Sequence, residues 1–89
     1  MNKEDLRRKI IEAGEAVVTY RGEQSGKIKY NVVTLDFDNP HIRARRTHAE
    51  ETENTVLAWS WDTDSFRQVR ADLVVSVVPL ANILKNDVR

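Results

Sequence analysis

The sequence predicts a small, mainly β domain of the α+β class: an SH3-like antiparallel barrel of about five strands with one N-terminal amphipathic helix. Three observations point there. A helical-period apolar stripe is confined to the first 13 residues. From Gly14 onward the pattern turns to short alternating runs, broken by turn-forming clusters about every 8–15 residues. The chain has 89 residues, 40% of them apolar and 31% charged, which supports one modest core rather than two. Strands this short favour closure, because a closed barrel hides the edges that an open sheet presents.

Each element follows from its local pattern. Asn2 is a helix N-cap with Asp5 three residues on, in the manner of a capping box. Leu6, Ile10 and Ala13 recur at helical spacing, Ile11 widens the stripe, and Lys3, Glu4, Arg7, Arg8, Lys9 and Glu12 cover the opposite side. Gly14 is the stop, so residues 1–15 form the helical unit. The barrel is expected over 16–80. Ala16–Arg21 is its first strand and the loop 22–26, GEQSG, turns a hairpin. Lys27–Leu35 is the second strand, with Ile28, Tyr30 and Val32 expected on one face and Lys27, Lys29 and Asn31 on the other. Tyr20 and Tyr30 are read as a pair facing each other across this hairpin. The stretch DFDNP at 36–40 is a loop, His41–Thr47 a third, polar strand, and His48–Asn54 an acidic loop. Thr55–Trp61 is the fourth strand, turned by DTDS at 62–65. Phe66–Val78 is the last β segment, bent near Ala71–Asp72 where the alternation breaks. Pro79 ends it, and 81–89 is a tail or short helix.

Composition excludes several classes. There is no cysteine, so neither a disulfide scaffold nor a Cys-ligated zinc site is available, and the chain suits a reducing cytoplasm. No apolar run approaches a membrane span, and the N-terminus lacks the apolar core of a secretory signal. No HExxH, nucleophile elbow or phosphate-cradling glycine loop occurs. Asp36, Asp38 and Asn39 resemble the opening of a calcium loop without its glycine and distal glutamate. No cofactor and no catalytic activity are expected.

The zero net charge hides a segregation. From Ala16 to Ala49 the basic residues are Arg21, Lys27, Lys29, Arg43, Arg45 and Arg46, against the acidic Glu23, Asp36 and Asp38. From Glu50 to Asp64 there are Glu50, Glu51, Glu53, Asp62 and Asp64 and no basic residue. In a strand, Arg43 and Arg45 would project from one face about 7 Å apart, near the phosphate spacing along a nucleic-acid strand, with Arg46 on the other face or at the strand's end. Arginine offers planar bidentate donors for phosphate and a flat surface for bases. The same residues suit an edge strand kept soluble by charge, or ion pairs with Glu50, Glu51 and Glu53. Trp59 and Trp61, on one face with Leu57, fit a base-stacking platform or the core of a barrel short of aromatics.

The runs VVTYRGEQSGKIKY at 17–30 and FRQVRADLVVSV at 66–77 together resemble the WYL-type SH3-like barrels of bacterial and phage regulators, over about residues 16–80. The resemblance implies a ligand-sensing or nucleic-acid-binding barrel in transcription control, in a bacterial or phage-infected cell. It matches Arg67 and Arg70 to the arginines of the family's terminal motif and Tyr20 to the aromatic that closes the first strand. The name-giving Trp-Tyr-Leu is reduced here to Thr55-Val56-Leu57, and the winged-helix domain that normally precedes the family's barrel is not expected here, so the barrel is expected to stand alone.

The expectation is therefore a non-catalytic module, monomeric or homodimeric, that contacts single- or double-stranded nucleic acid through Arg43, Arg45, Arg46, Arg67, Arg70, Lys27 and Lys29. The alternative is a small adaptor that docks on a protein partner through its N-terminal helix or acidic loop.

Overall fold

A computed structural model describes residues 1–87. The first helix, α1 (Lys3–Ala13), starts where the sequence marks it: Asn2 has extended backbone and its side-chain oxygen accepts the Asp5 amide at 2.8 Å. Glu4 and Asp5 lie in the first turn, where the helix dipole favours negative charge. The helix ends at Gly14 with φ of 74°, and the Gly14 carbonyl accepts the Thr34 hydroxyl at 2.8 Å.

Five strands follow: β1 (Glu15–Arg21), β2 (Ile28–Thr34), β3 (Thr55–Ser60), β4 (Ser65–Arg70) and β5 (Val74–Pro79). They form one antiparallel sheet in the order β4-β3-β2-β1-β5. A 3-10 turn, Ala71–Leu73, stands at the expected bend between β4 and β5. A last helix, α2 (Leu80–Asp87), follows Pro79. It begins at the first residue after β5, so the expected tail is helical; positions 88–89 of that tail lie outside the described residues.

Ala16 and Val18 of β1 oppose Val33 and Asn31 of β2. With Val56, Ala58, Val69 and Ala71 they make an apolar floor, and Leu6 and Ile10 of α1, both fully buried, close it from above. The helix therefore does not stand alone in water, where three turns would be marginal.

Three expectations need correction. The sheet is open: among the described residues no ladder joins β4 to β5, because the 3-10 turn diverts the chain and β5 pairs with β1 on the far edge. At the end of β4 the Arg70 guanidinium reaches Glu23 in the first hairpin loop. The inward face of β2 is the opposite of the one expected. Asn31 and Val33 point to the core while Ile28 and Tyr30 are 54% and 65% exposed. A polar residue can take the inner position because Asp62 accepts the Asn31 amide at 3.1 Å. For the same reason Tyr20 and Tyr30 do not face each other; Tyr20 pairs with Lys29, and Tyr30 with Thr19. Finally, His41–Thr47 is not a strand. Asn39 organises a run of turns, its carbonyl accepting the Ile42 and Arg43 amides at 2.8 and 2.9 Å and its side chain the His41 amide at 2.9 Å. With β2 and β3 paired directly through Val33–Ser60 and Thr34–Trp59, the sheet has no slot for another strand there.

Candidate nucleic-acid interface

The turns that replace the third strand form a strap over the outer face of β3 and β4. Leu57 and Trp59 alternate out of the core that holds Val56 and Ala58, and the strap covers Trp59. Ile42, 1% exposed, is its apolar anchor. Trp59, also 1% exposed, meets Phe66 edge-on at 5.1 Å and Trp61 at 6.2 Å, while Phe37 meets Phe66 at 5.4 Å. The His41 ring lies 5.9 Å from Trp59 and 5.6 Å from Trp61. Trp59 is thus the centre of a second, aromatic core and offers no face to a stacked base. The indole N–H groups of Trp59 and Trp61 are buried without a hydrogen-bond partner.

This second core positions the arginines. Arg45 lies over the Trp59 ring at 5.5 Å and reaches Asp64 at 3.4 Å. Asp64 also receives His41, Nε2 to Oδ1 2.7 Å, and the His41 hydrogen bond leads the causes that hold its carboxyl below the ordinary aspartate range. Arg46 donates to the carbonyls of Arg43 and Arg45 at 3.3 and 3.1 Å, which leaves most of its guanidinium donors outward. Arg43 and Arg46 are exposed and meet no carboxylate among the described residues. Arg45, Arg46 and Thr47 share an open recess with Asp64, Ser65 and Phe66.

Glu51 and Asp62 of the acidic run face elsewhere. Glu51 binds Lys3 at 3.2 Å, pairs with Arg7, and accepts the Leu57 amide at 2.8 Å. Burial pushes its carboxyl up, but those bonds outweigh it and the net displacement is downward. Asp62 takes the Ser60 hydroxyl at 2.6 Å, the Asn31 amide and the Val32 backbone N–H, and its carboxyl is likewise held low against the effect of burial. Glu50, Glu51 and Glu53 therefore do not neutralise the arginines; Glu51 ties the acidic segment to α1 instead.

The other expected basic residues are not gathered at this strap. Lys27 and Lys29 flank the first hairpin loop, with Lys29 packed close to Gly22. Arg67 and Arg70 line a separate cleft with Tyr20. Arg70 is occupied by Glu23 and by Asp72, the latter at 2.6 Å. Arg67 meets no carboxylate among the described residues. Two members of the site escaped sequence reading, His41 and Asp64. The signal for Asp64 lay in its turn, since it adopts φ of 51°, a conformation aspartate tolerates better than most residues.

Among the described residues no three His, Asp or Glu side chains converge as a metal site would need, and no helix is long and apolar enough to cross a membrane. In comparisons with known proteins the chain matches no family model, no curated protein and no solved structure.

Proposed function

We propose that this protein is a non-catalytic binding module that engages the phosphates of a nucleic acid through the strap carrying Arg43, Arg45 and Arg46. One observation carries the reading: the strap bears three arginines, with Arg45 seated on the aromatic base and Arg43 and Arg46 left without a carboxylate among the described residues. Of the neighbouring acidic run, Glu51 is committed to α1 and Asp62 to the strand ends, and among the described residues only Asp64 meets the strap. Arg43 and Arg46 thus keep their field although the chain as a whole is neutral. Because Trp59 is buried, recognition runs through the backbone of the ligand and is indifferent to its sequence. Lys27 and Lys29 add field at longer range.

The test is fluorescence anisotropy with labelled single-stranded RNA, single-stranded DNA and duplex DNA at about 50 and 200 mM salt. Binding is expected to weaken steeply with salt. The double variant Arg43→Ala, Arg46→Ala should flatten the slope of log affinity against log salt by about 1.5–2, two phosphate contacts' worth. An unchanged slope removes the strap from the interface. No binding at low salt with any of the three nucleic acids overturns the proposal in favour of a protein-docking adaptor.

A further inference from the structure

The open side of the sheet holds a cleft that the nucleic-acid reading does not use. It lies between the ends of β1 and β2 and the edge of β4, with a volume of about 140 Å³. Tyr20, Val69 and Leu73 supply apolar wall, Asn31 and Gln68 polar wall, and Arg21 and Arg67 positive charge. The rim is built. Arg70 bonds Asp72 through two nitrogens, Nε at 3.2 Å and Nη2 at 2.6 Å, and crosses to Glu23, so both carboxylates share this one guanidinium. The amide of Asn31 is likewise held by Asp62. Arg67 stands out: it projects from the inner parity of β4, opposite Ala58, and has no hydrogen-bonded or ionic partner among the described residues. Three guanidinium groups, Arg21, Arg67 and Arg70, stand against the two carboxylates Glu23 and Asp72, so the cleft keeps one net positive charge, and Arg67 is the unpaired guanidinium on its inner wall.

The dimensions and chemistry select a class of ligand. A space of this size takes a single six-membered ring. A planar guanidinium fork without a partner pairs best with a planar carboxylate through two parallel hydrogen bonds. The apolar wall excludes a bare, fully hydrated anion in favour of one carrying a ring to bury. We propose that this cleft is a binding site for a single-ring aromatic carboxylate, with Arg67 gripping the carboxylate and Tyr20, Val69 and Leu73 enclosing the ring. The site is independent of the arginine strap, and neither proposal depends on the other.

The probe is benzoate, titrated into ¹⁵N-labelled protein and followed by amide shifts, with benzamide as the neutral isostere and inorganic phosphate as the anion without a ring. Benzoate should move the amides of Tyr20, Val69 and Leu73 to saturation, and benzamide should bind at least tenfold more weakly. Arg67→Gln should weaken benzoate at least tenfold while circular dichroism shows an intact fold, since Arg67 is exposed and buries nothing in the core. Arg8→Gln, which removes the same charge from the far side of α1, should leave benzoate affinity unchanged. Equal affinity for benzoate and benzamide, full retention of binding in Arg67→Gln, or saturating shifts confined to residues 39–47 would each overturn the proposal. Phosphate competing better than benzoate would overturn the aromatic class.

Discussion

His41 and Asp64 bind the strap to the β3–β4 turn, imidazole Nε2 to carboxylate oxygen at 2.7 Å, with Arg45 on the second oxygen of the same carboxylate. One aspartate in a left-handed turn therefore aims an arginine and locks the loop that carries it.

Asp64→Asn keeps a side chain that tolerates the positive φ and removes only the charge. Hydrogen exchange at the Ile42 and Arg43 amides should accelerate, because the strap loses both its ionic ties while Ile42 alone still anchors it. Global melting should move little, as the ion pairs are exposed. Unchanged exchange would show that Ile42 and the turns around Asn39 hold the strap without help.

Acid should destabilise the protein through four carboxylates. Glu51, Asp62, Asp64 and Asp72 all have pKa values held below their ordinary range in the folded state. The unfolded chain takes up protons first as pH falls, so their contribution is whole above about pH 5 and is lost progressively below about pH 4. Urea titrations across this range should show the decline. Asp62→Asn, which weakens the acceptor for Ser60, Asn31 and Val32 together, should cost about 1 kcal/mol at neutral pH and make the decline shallower.

Leu6→Ala should cost about 3 kcal/mol, since Leu6 is fully buried in the cluster that joins α1 to the sheet. Chemical denaturation gives the value directly. A cost under about 1 kcal/mol would mean that the helix can shift to close the cavity.

Gly14→Ala tests the junction between α1 and β1. Added at Gly14, a Cβ meets no atom within 4 Å, so sterics with neighbours contribute nothing. The φ of 74° alone should make alanine about 1 kcal/mol worse. Gly26, at φ of 68° and equally open, should behave alike.

Much of the fold was legible in the sequence, and the parts that were not share a cause. The helix, its Asn2 cap, the first hairpin, the bend at Ala71–Asp72 and the C-terminal helix depend on neighbours a few residues apart, and local pattern reports such neighbours well. The inner face of β2 depends on Asp62, about thirty residues away, which makes Asn31 acceptable inside. The failed strand at 41–47 alternates well enough, but a strand needs a partner edge, and β2 and β3 had already taken each other. Of the arginines singled out, Arg43, Arg45 and Arg46 lie on one strap, while Arg67 and Arg70 lie at a separate cleft. Their partners were not evident, because Glu51 of the acidic run turns toward α1 and leaves Asp64, in the β3–β4 turn, to meet Arg45 and His41. Closure of the sheet was an argument from edges, and the Arg70–Glu23 bridge with its cleft is the arrangement found instead.

The position of β1 between β2 and β5 also bears on how the chain reaches this state as it is made. The hairpin of β1 and β2 can form early, but the other side of β1 has to wait for β5, more than fifty residues later in synthesis. Until then a nascent chain carries an unsatisfied valine-rich strand, and Leu6 and Ile10 of α1, already synthesised ahead of it, are apolar groups that can cover it. The helix that caps the finished core is thereby suited to shield that strand during translation.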